Sequence, residues 1–278
     1  MTNFLVPIDF SETSKNAARY AAHISTLVPD TNLILYNVFD TLELGVDSSP
    51  LGTDAEEDAG RQKLMELALE SVKTELSVIT GAKITCVAEE ANRFLDTLDK
   101  YVRNHHIQLV IMGITGSTRL GQIFMGSNTL NLIKRDIVPV IIVPPDARSQ
   151  SAKNVMMLSD FKDIDNTVPE MPMKWILDLF NPSLHIVNVD HEHYVELTDE
   201  YKAERAKLET LLKDYHPSFY FIRMFDFMEA INQFVTDKDI DLILTFPRKH
   251  SFLSNIFKTT NTTKLAYHSH VPIVALNA

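Results

Sequence analysis

The sequence predicts an α/β chain of two tandem doubly wound domains, each a five-stranded parallel sheet with helices on both faces. Three observations carry this expectation. Short continuous apolar runs rich in Val, Ile and Leu recur between polar loops, the pattern of strands buried on both faces. Stretches with small and apolar residues at helical spacing alternate with them, as a parallel sheet requires. Past a short polar stretch, Ser149 to Lys153, the whole pattern starts again.

In chain order, Phe4 to Ile8 is the first strand and Asp9 ends it. Ser11 and Glu12 suit a helix start, and Ala17, Ala18, Ala21, Ala22 and Ile24 supply its packing face. Asn32 to Phe39 is the second strand, and the acidic, glycine-bearing segment Thr41 to Asp58 is a long loop. From about Glu57 to Ile79 the spacing predicts a helix with Leu64, Leu67, Ala68, Val72 and Leu76 on its buried side. Lys83 to Ala88 is a strand, Phe94 to Asn104 a helix, and Leu109 to Met112 another buried strand. A loop with Gly113, Gly116 and Gly126 leads into a helix carrying Leu130 and Ile133 on one face, with Lys134 and Arg135 in its last turn. Val140 to Val143 closes the unit.

The repeat can be registered by residue. Asp160 in VMMLSDF stands at Asp9 in LVPIDF, and Val189 stands at Val38, both 151 positions on. IDLILT from Ile240 matches IQLVIM, and VPIVAL from Val271 matches VPVIIV, both 133 positions on. The second half is therefore 18 residues shorter between its second and fourth strands, a shortfall that the polar segment Thr41 to Asp58 would account for. The expected domains are residues 1–148 and 149–278.

A glycine loop that leaves a strand and enters a helix N-terminus suits phosphate. Bare backbone lets an anion approach, and the first helical turn offers unpaired N–H groups and the positive end of the dipole. Ser127 is placed to cap that helix or to turn its hydroxyl to a phosphate oxygen. In the second half Phe246, Lys249, Thr259 and Thr260 replace Gly113, Gly116, Gly126 and Ser127, and only Asn128 persists, as Asn261. The phosphate recipe is thus expected in the first half alone.

Gly113, Gly116, Gly126, Ser127 and Asn128 at these spacings resemble the ATP-binding signature of the universal stress protein family, as do PIDFSE and NVFD at the first two strand ends. The resemblance covers both halves. It implies adenine nucleotide across the carboxyl ends of the strands, where open α/β sheets bind ligands generally. By that resemblance Pro7 and Ile8 line the adenine pocket, Asp9 holds the ribose or adenine region, and Val38 meets adenine through its backbone. Met112 and Gly113 lie near ribose and phosphates, Thr115 lies within the phosphate loop, and Gly116, Gly126, Ser127 and Asn128 cradle the phosphates. The implied cofactor is ATP with Mg²⁺. The implied assembly is an internal pseudo-dimer of the two halves through their last strands, and a homodimer is compatible with it.

Composition narrows the function classes. With 26 basic and 37 acidic residues the net charge is −11, which disfavours general nucleic-acid binding. No apolar run approaches the ~20 residues of a membrane span, and the N-terminus reads as a strand, so the expected location is cytoplasmic. The single cysteine, Cys86, permits neither an internal disulfide nor a cysteine cluster for zinc. His105 with His106, His191 with His193 and His268 with His270 lack a third ligand at recognisable spacing, so no metal site is expected of them. No triad, acid–base pair or Gly-Lys-Ser/Thr phosphate loop is present, and Arg119 reads as a solvated loop residue. The expected function is stress-linked nucleotide sensing or signalling, with slow ATP hydrolysis at most. A scaffold of the same fold and an enzyme acting on the α-phosphate of ATP are the rivals.

Overall fold

The computed structural model describes residues 1–40, 54–114, 127–145, 147, 151–190, 198–223, 226–246 and 270–276. The first half runs β1 (Thr2–Pro7), α1 (Glu12–Ser25), β2 (Thr31–Phe39), α2 (Asp54–Leu76), β3 (Lys83–Glu90), α3 (Phe94–Asn104), β4 (Leu109–Gly113), α4 (Ser127–Arg135) and β5 (Val140–Val143). The second half runs β6 (Asn154–Leu158), α5 (Ile164–Thr167), α6 (Glu170–Phe180), β7 (Ser183–Asp190), α7 (Asp199–Leu211), β8 (Ser218–Arg223), α8 (Phe227–Asp237), β9 (Leu242–Thr245) and β10 (Ile273–Ala275).

All these strands join one ten-stranded sheet in the order β3-β2-β1-β4-β5-β10-β9-β6-β7-β8. Within each half the pairing is parallel; β5 and β10 meet antiparallel, with Ile141 opposite Val274. The predicted offsets reappear as register. Phe4 pairs with Leu109 as Val155 pairs with Leu242, and Asn3 with Asn32 as Asn154 with Ser183. Ile141 and Val274 are themselves counterparts, so the approximate twofold axis passes through that pair. The carboxyl ends of the first half's strands share an edge of the sheet with the amino ends of the second half's strands.

Strand alternation feeds two cores, one on each face. Phe4, Val6, Leu33, Leu35, Leu109 and Ile111 point to the face covered by α1 and α2, which continues through Val155 and Leu242 to α6 and α7. Leu5, Ile34, Tyr36, Val110 and Met112 point to the face covered by α3, α4 and α8. Each core runs the length of the sheet, so the halves share both. No helix among the described residues is long and apolar enough to cross a membrane.

The structure corrects the reading of α2. Leu64 and Leu67 are 61% and 57% exposed, while Leu69, Val72 and Leu76 are buried. Stepping back from Leu76 by helical spacing leads through Val72 and Leu69 to Met65, not to Leu64 or Leu67. Apolar residues lie on several sides of α2, so periodicity left its buried face ambiguous.

The missing 18 residues also become placeable. α2 has 23 residues and α7 has 13, so the helix takes most of the difference and the loop before it only part. The shorter α7 covers less of its sheet face, and Phe221 there stays 42% exposed. There the second half has Phe219 and Phe221 where the first has Cys86 and Ala88. They cluster with Phe161, whose ring centroid lies 6.1 and 5.6 Å from theirs, and Arg205 lies over both rings at 5.0 and 5.4 Å.

Candidate functional site

The site is built where β1, β2 and β4 stop and α1 and α4 start. β1 ends at Pro7, and the ladder continues for one bond, from Ile8 N–H to the Tyr36 carbonyl at 2.8 Å. The next rung of a parallel ladder would be Val38 N–H to the Ile8 carbonyl. Instead Asn37 Nδ2 donates to that carbonyl at 2.7 Å. Among the described residues, the Val38 N–H and C=O are left facing the gap beyond β1 without a backbone partner there. A donor and an acceptor on one residue, side by side at a strand tip, can read the edge of a planar base.

Asp9 follows, and its Oδ1 accepts from the Ser11 N–H at 3.0 Å and the Ser11 hydroxyl at 2.5 Å. Partial burial pushes the Asp9 carboxyl up, but hydrogen bonds from the Ser11 and Ser14 hydroxyls and the Ser11 N–H outweigh it and hold the group below its ordinary value. A depressed folded-state pKa means that Asp9 contributes its full stabilisation above the ordinary carboxylate range. That contribution is lost as pH falls through the depressed value. Phe10 holds a left-handed φ of 62°, as its counterpart Phe161 does at 49°. This unusual turn sets Asp9 over the start of α1. Ser11 caps α1, accepting from the Ser14 N–H at 3.2 Å.

Gly113 ends β4 directly against this helix start. A Cβ there would stand 2.4 Å from the Thr13 carbonyl oxygen and 2.7 Å from its carbon. The glycine is therefore needed for space: only bare backbone lets the first turn of α1 reach the tip of β4. Met112 is buried on the opposite face, and Pro7 and Ile8 are buried beneath the site. α4 begins at Ser127, with Asn128 exposed on its first turn. Arg135 at its far end fastens it to α3, donating to the Leu95 carbonyl at 3.0 Å and Asp96 Oδ1 at 2.7 Å. Thr115, Gly116 and Gly126, and Arg119 with them, lie outside the described residues, as do Lys249, Thr259, Thr260 and Asn261 of the other half.

The second half repeats one end of this arrangement and not the other. Ser159 N–H donates to Val187 at 3.1 Å, and Asn188 Nδ2 donates to the Ser159 carbonyl at 2.8 Å, as Ile8, Tyr36 and Asn37 do. Asp160 Oδ1 accepts from Lys162 N–H at 3.2 Å, as Asp9 does from Ser11. At Gly113, however, stands Phe246, only 1% exposed and part of the core. The helix opposite it is broken: α5 has four residues, and α6 starts at Glu170 behind Pro169, more than a turn later than α1 starts in its own half. Asp160 and Val189 are buried, whereas Asp9 is exposed and Val38 partly so. Among the described residues, the first-half tips are exposed at Asp9 and backed by a helix start, and the second-half tips are buried.

Sequence alone does not single out Asn37 and Asn188, although both stand in the repeated Asn-Val pair of the second strands. Asn37→Ala is expected to lower stability by about 1–2 kcal/mol by orphaning the Ile8 carbonyl. Asn188→Ala should do the same, both read as lower urea midpoints at unchanged slope. Of the histidines, His105 stacks on Tyr101 at 4.0 Å, and His191, His193 and His268 lie outside the described residues. Among the described residues no three of His, Cys, Asp and Glu gather as a metal group.

The universal stress protein family model matches residues 1–144. Over 152 residues the chain is 30% identical to universal stress protein MJ0577 of Methanocaldococcus jannaschii, an alignment spanning 50% of this chain and 92% of that protein. The chain belongs to the universal stress protein family. Its tandem architecture has a solved counterpart in a universal stress protein of Archaeoglobus fulgidus, with a TM-score of 0.69 at 16% identity over 99% of this chain and 98% of that one. A functionally unknown protein of Pseudomonas aeruginosa shares the fold at a TM-score of 0.57 and 14% identity, over 100% and 92% of the two chains.

Proposed function

We propose that the first half binds ATP at the carboxyl edge of its strands, that the second half does not, and that the chain serves nucleotide-dependent sensing or signalling under stress. The observation that carries this reading is the contrast at one position. Gly113 admits the helix start that an anion needs, and Phe246 with a broken helix removes it. In this reading the base lies by Pro7, Ile8 and Val38, and Asp9 keeps Oδ2 for the ribose while Oδ1 holds the turn. The phosphates extend past Met112 and Gly113 to Gly116, Gly126, Ser127 and Asn128. Bound Mg²⁺ would neutralise phosphate charge, held mainly by phosphate oxygens and water. The family membership and the shared fold support the reading, as does the parallel sheet itself, which offers its ligand crevice at this edge. We place the domain boundary near residue 149, within the segment that joins β5 to β6.

The test is direct. The purified chain is denatured, the released small molecules are chromatographed, and the refolded or stripped chain is titrated with Mg·ATP. Adenine nucleotide in the extract and saturable binding are expected. Neither appearing would sink the reading.

A further inference from the structure

Among the described strands β3 and β8 are the two edges of the sheet, and the repeat makes them counterparts. An edge strand presents unpaired N–H and C=O groups, which proteins guard with charge, proline or a covering element. β3 is guarded: Lys83 and Glu90 are exposed at its two ends, Glu89 precedes Glu90, and the 23-residue α2 packs on it. β8, SFYFIR, has no proline and no acidic residue. The 13-residue α7 covers less of it, and the Phe221 ring stays exposed.

Cations surround this edge. Alternation puts Phe219 and Phe221 on the α7 face, where Arg205 lies over both rings at 5.0 and 5.4 Å. Tyr220 is on the α8 face, and Lys238 Nζ lies 5.3 Å from its ring centroid. Arg223 ends the strand. Arg205 pairs with Glu209 at 2.8 Å. Arg223 and Lys238, by contrast, are exposed and make no ion pair among the described residues, although Asp237 and Asp239 flank Lys238 in the chain. At the β3 edge the counterparts of Ile222, Arg223 and Lys238 are Glu89, Glu90 and His105. The two edges therefore differ in sign, and the cationic one belongs to a chain of net charge −11.

We propose that β8 is a docking edge for an extended acidic peptide, which adds to the sheet as a further strand. Main-chain hydrogen bonds to the open side of β8 hold it, and side-chain alternation sorts its residues. Apolar side chains cover Phe221 on the α7 face, acidic ones meet Lys238 on the α8 face, and Arg223 takes a carboxylate at the strand end. A nucleic acid would bring charge without the matching backbone, and a second copy would set like charges against each other across the pair. The site is independent of the nucleotide reading. The test titrates the full chain into a labelled peptide of about eight residues alternating Val and Glu, followed by fluorescence anisotropy at low salt. Saturable binding is expected. It should be about tenfold weaker for the Val and Lys counterpart, and for a Val and Glu peptide N-methylated at the residues that would face β8, which keeps the carboxylates but loses the strand donors. Arg223→Glu combined with Lys238→Glu should weaken binding by a similar factor at an unchanged urea midpoint. No binding, equal binding of the N-methylated peptide or equal binding by the double variant would overturn the proposal. So would tighter binding of oligothymidylate, or a dimer in sedimentation that Phe221→Lys abolishes.

Discussion

Phe246→Ala is expected to lower the stability of the chain by about 3–5 kcal/mol, the usual range for removing a buried phenyl ring. Phe246 is 1% exposed and belongs to the core that joins both halves on the α1 and α6 face. Its ring takes up room that the first half gives to a helix start, so truncation leaves a cavity and not a collapsed surface. The vacancy should not restore a nucleotide site. The helix opposite remains broken at Pro169, and α5, at four residues, brings no sustained dipole to the strand tips. Urea titration should therefore show a much lower midpoint, while the number of Mg·ATP molecules bound per chain stays the same.

Gly113→Ala is expected to cost about 2–3 kcal/mol by overpacking, and to weaken nucleotide binding more than the fall in stability explains. The atoms that the new methyl group would meet at 2.4 and 2.7 Å belong to the Thr13 backbone. A side chain could rotate aside; a helical peptide unit at the first turn cannot. The methyl group must push the start of α1 away from β4, and with it Asp9, Ser11 and the N–H groups of the first turn. Circular dichroism in the folded baseline should show helix retained while Mg·ATP affinity falls. Full affinity in a destabilised Gly113→Ala would mean that α1 does not take part in the site.

The fold was largely legible because its signals are local and repeated. Apolar runs such as Val140 to Val143 admit little besides a buried strand, and the β6 and β9 registers repeat those of β1 and β4 at the offsets read from the residues. Ser11 as a helix cap and Phe94 to Asn104 as a helix were readable from residue type and spacing alone. The buried side of α2 was not, because leucines on several of its faces make one periodicity as good as another. From sequence, Gly113 is a residue that frees backbone for phosphate. Its demonstrable requirement is space for Thr13, a residue a hundred positions earlier, and no local pattern carries a contact of that range. Asn37 carries no local signal for a related reason: its clamp on Ile8 exists only once β1 and β2 lie side by side. Pro169 and Pro172 are the local signals of the broken helix in the second half, and Pro169 stands in the chain where the repeat would otherwise place the middle of a continuous helix.

The central claim is that this tandem chain holds one working nucleotide site, and its stoichiometry tests that most directly. Equilibrium dialysis of the chain, at a concentration well above the dissociation constant, against labelled Mg·ATP is expected to saturate at one nucleotide per chain. Two per chain would mean that the half carrying Phe246 binds as well, and none would mean that the fold has been kept without the ligand; either result contradicts the account.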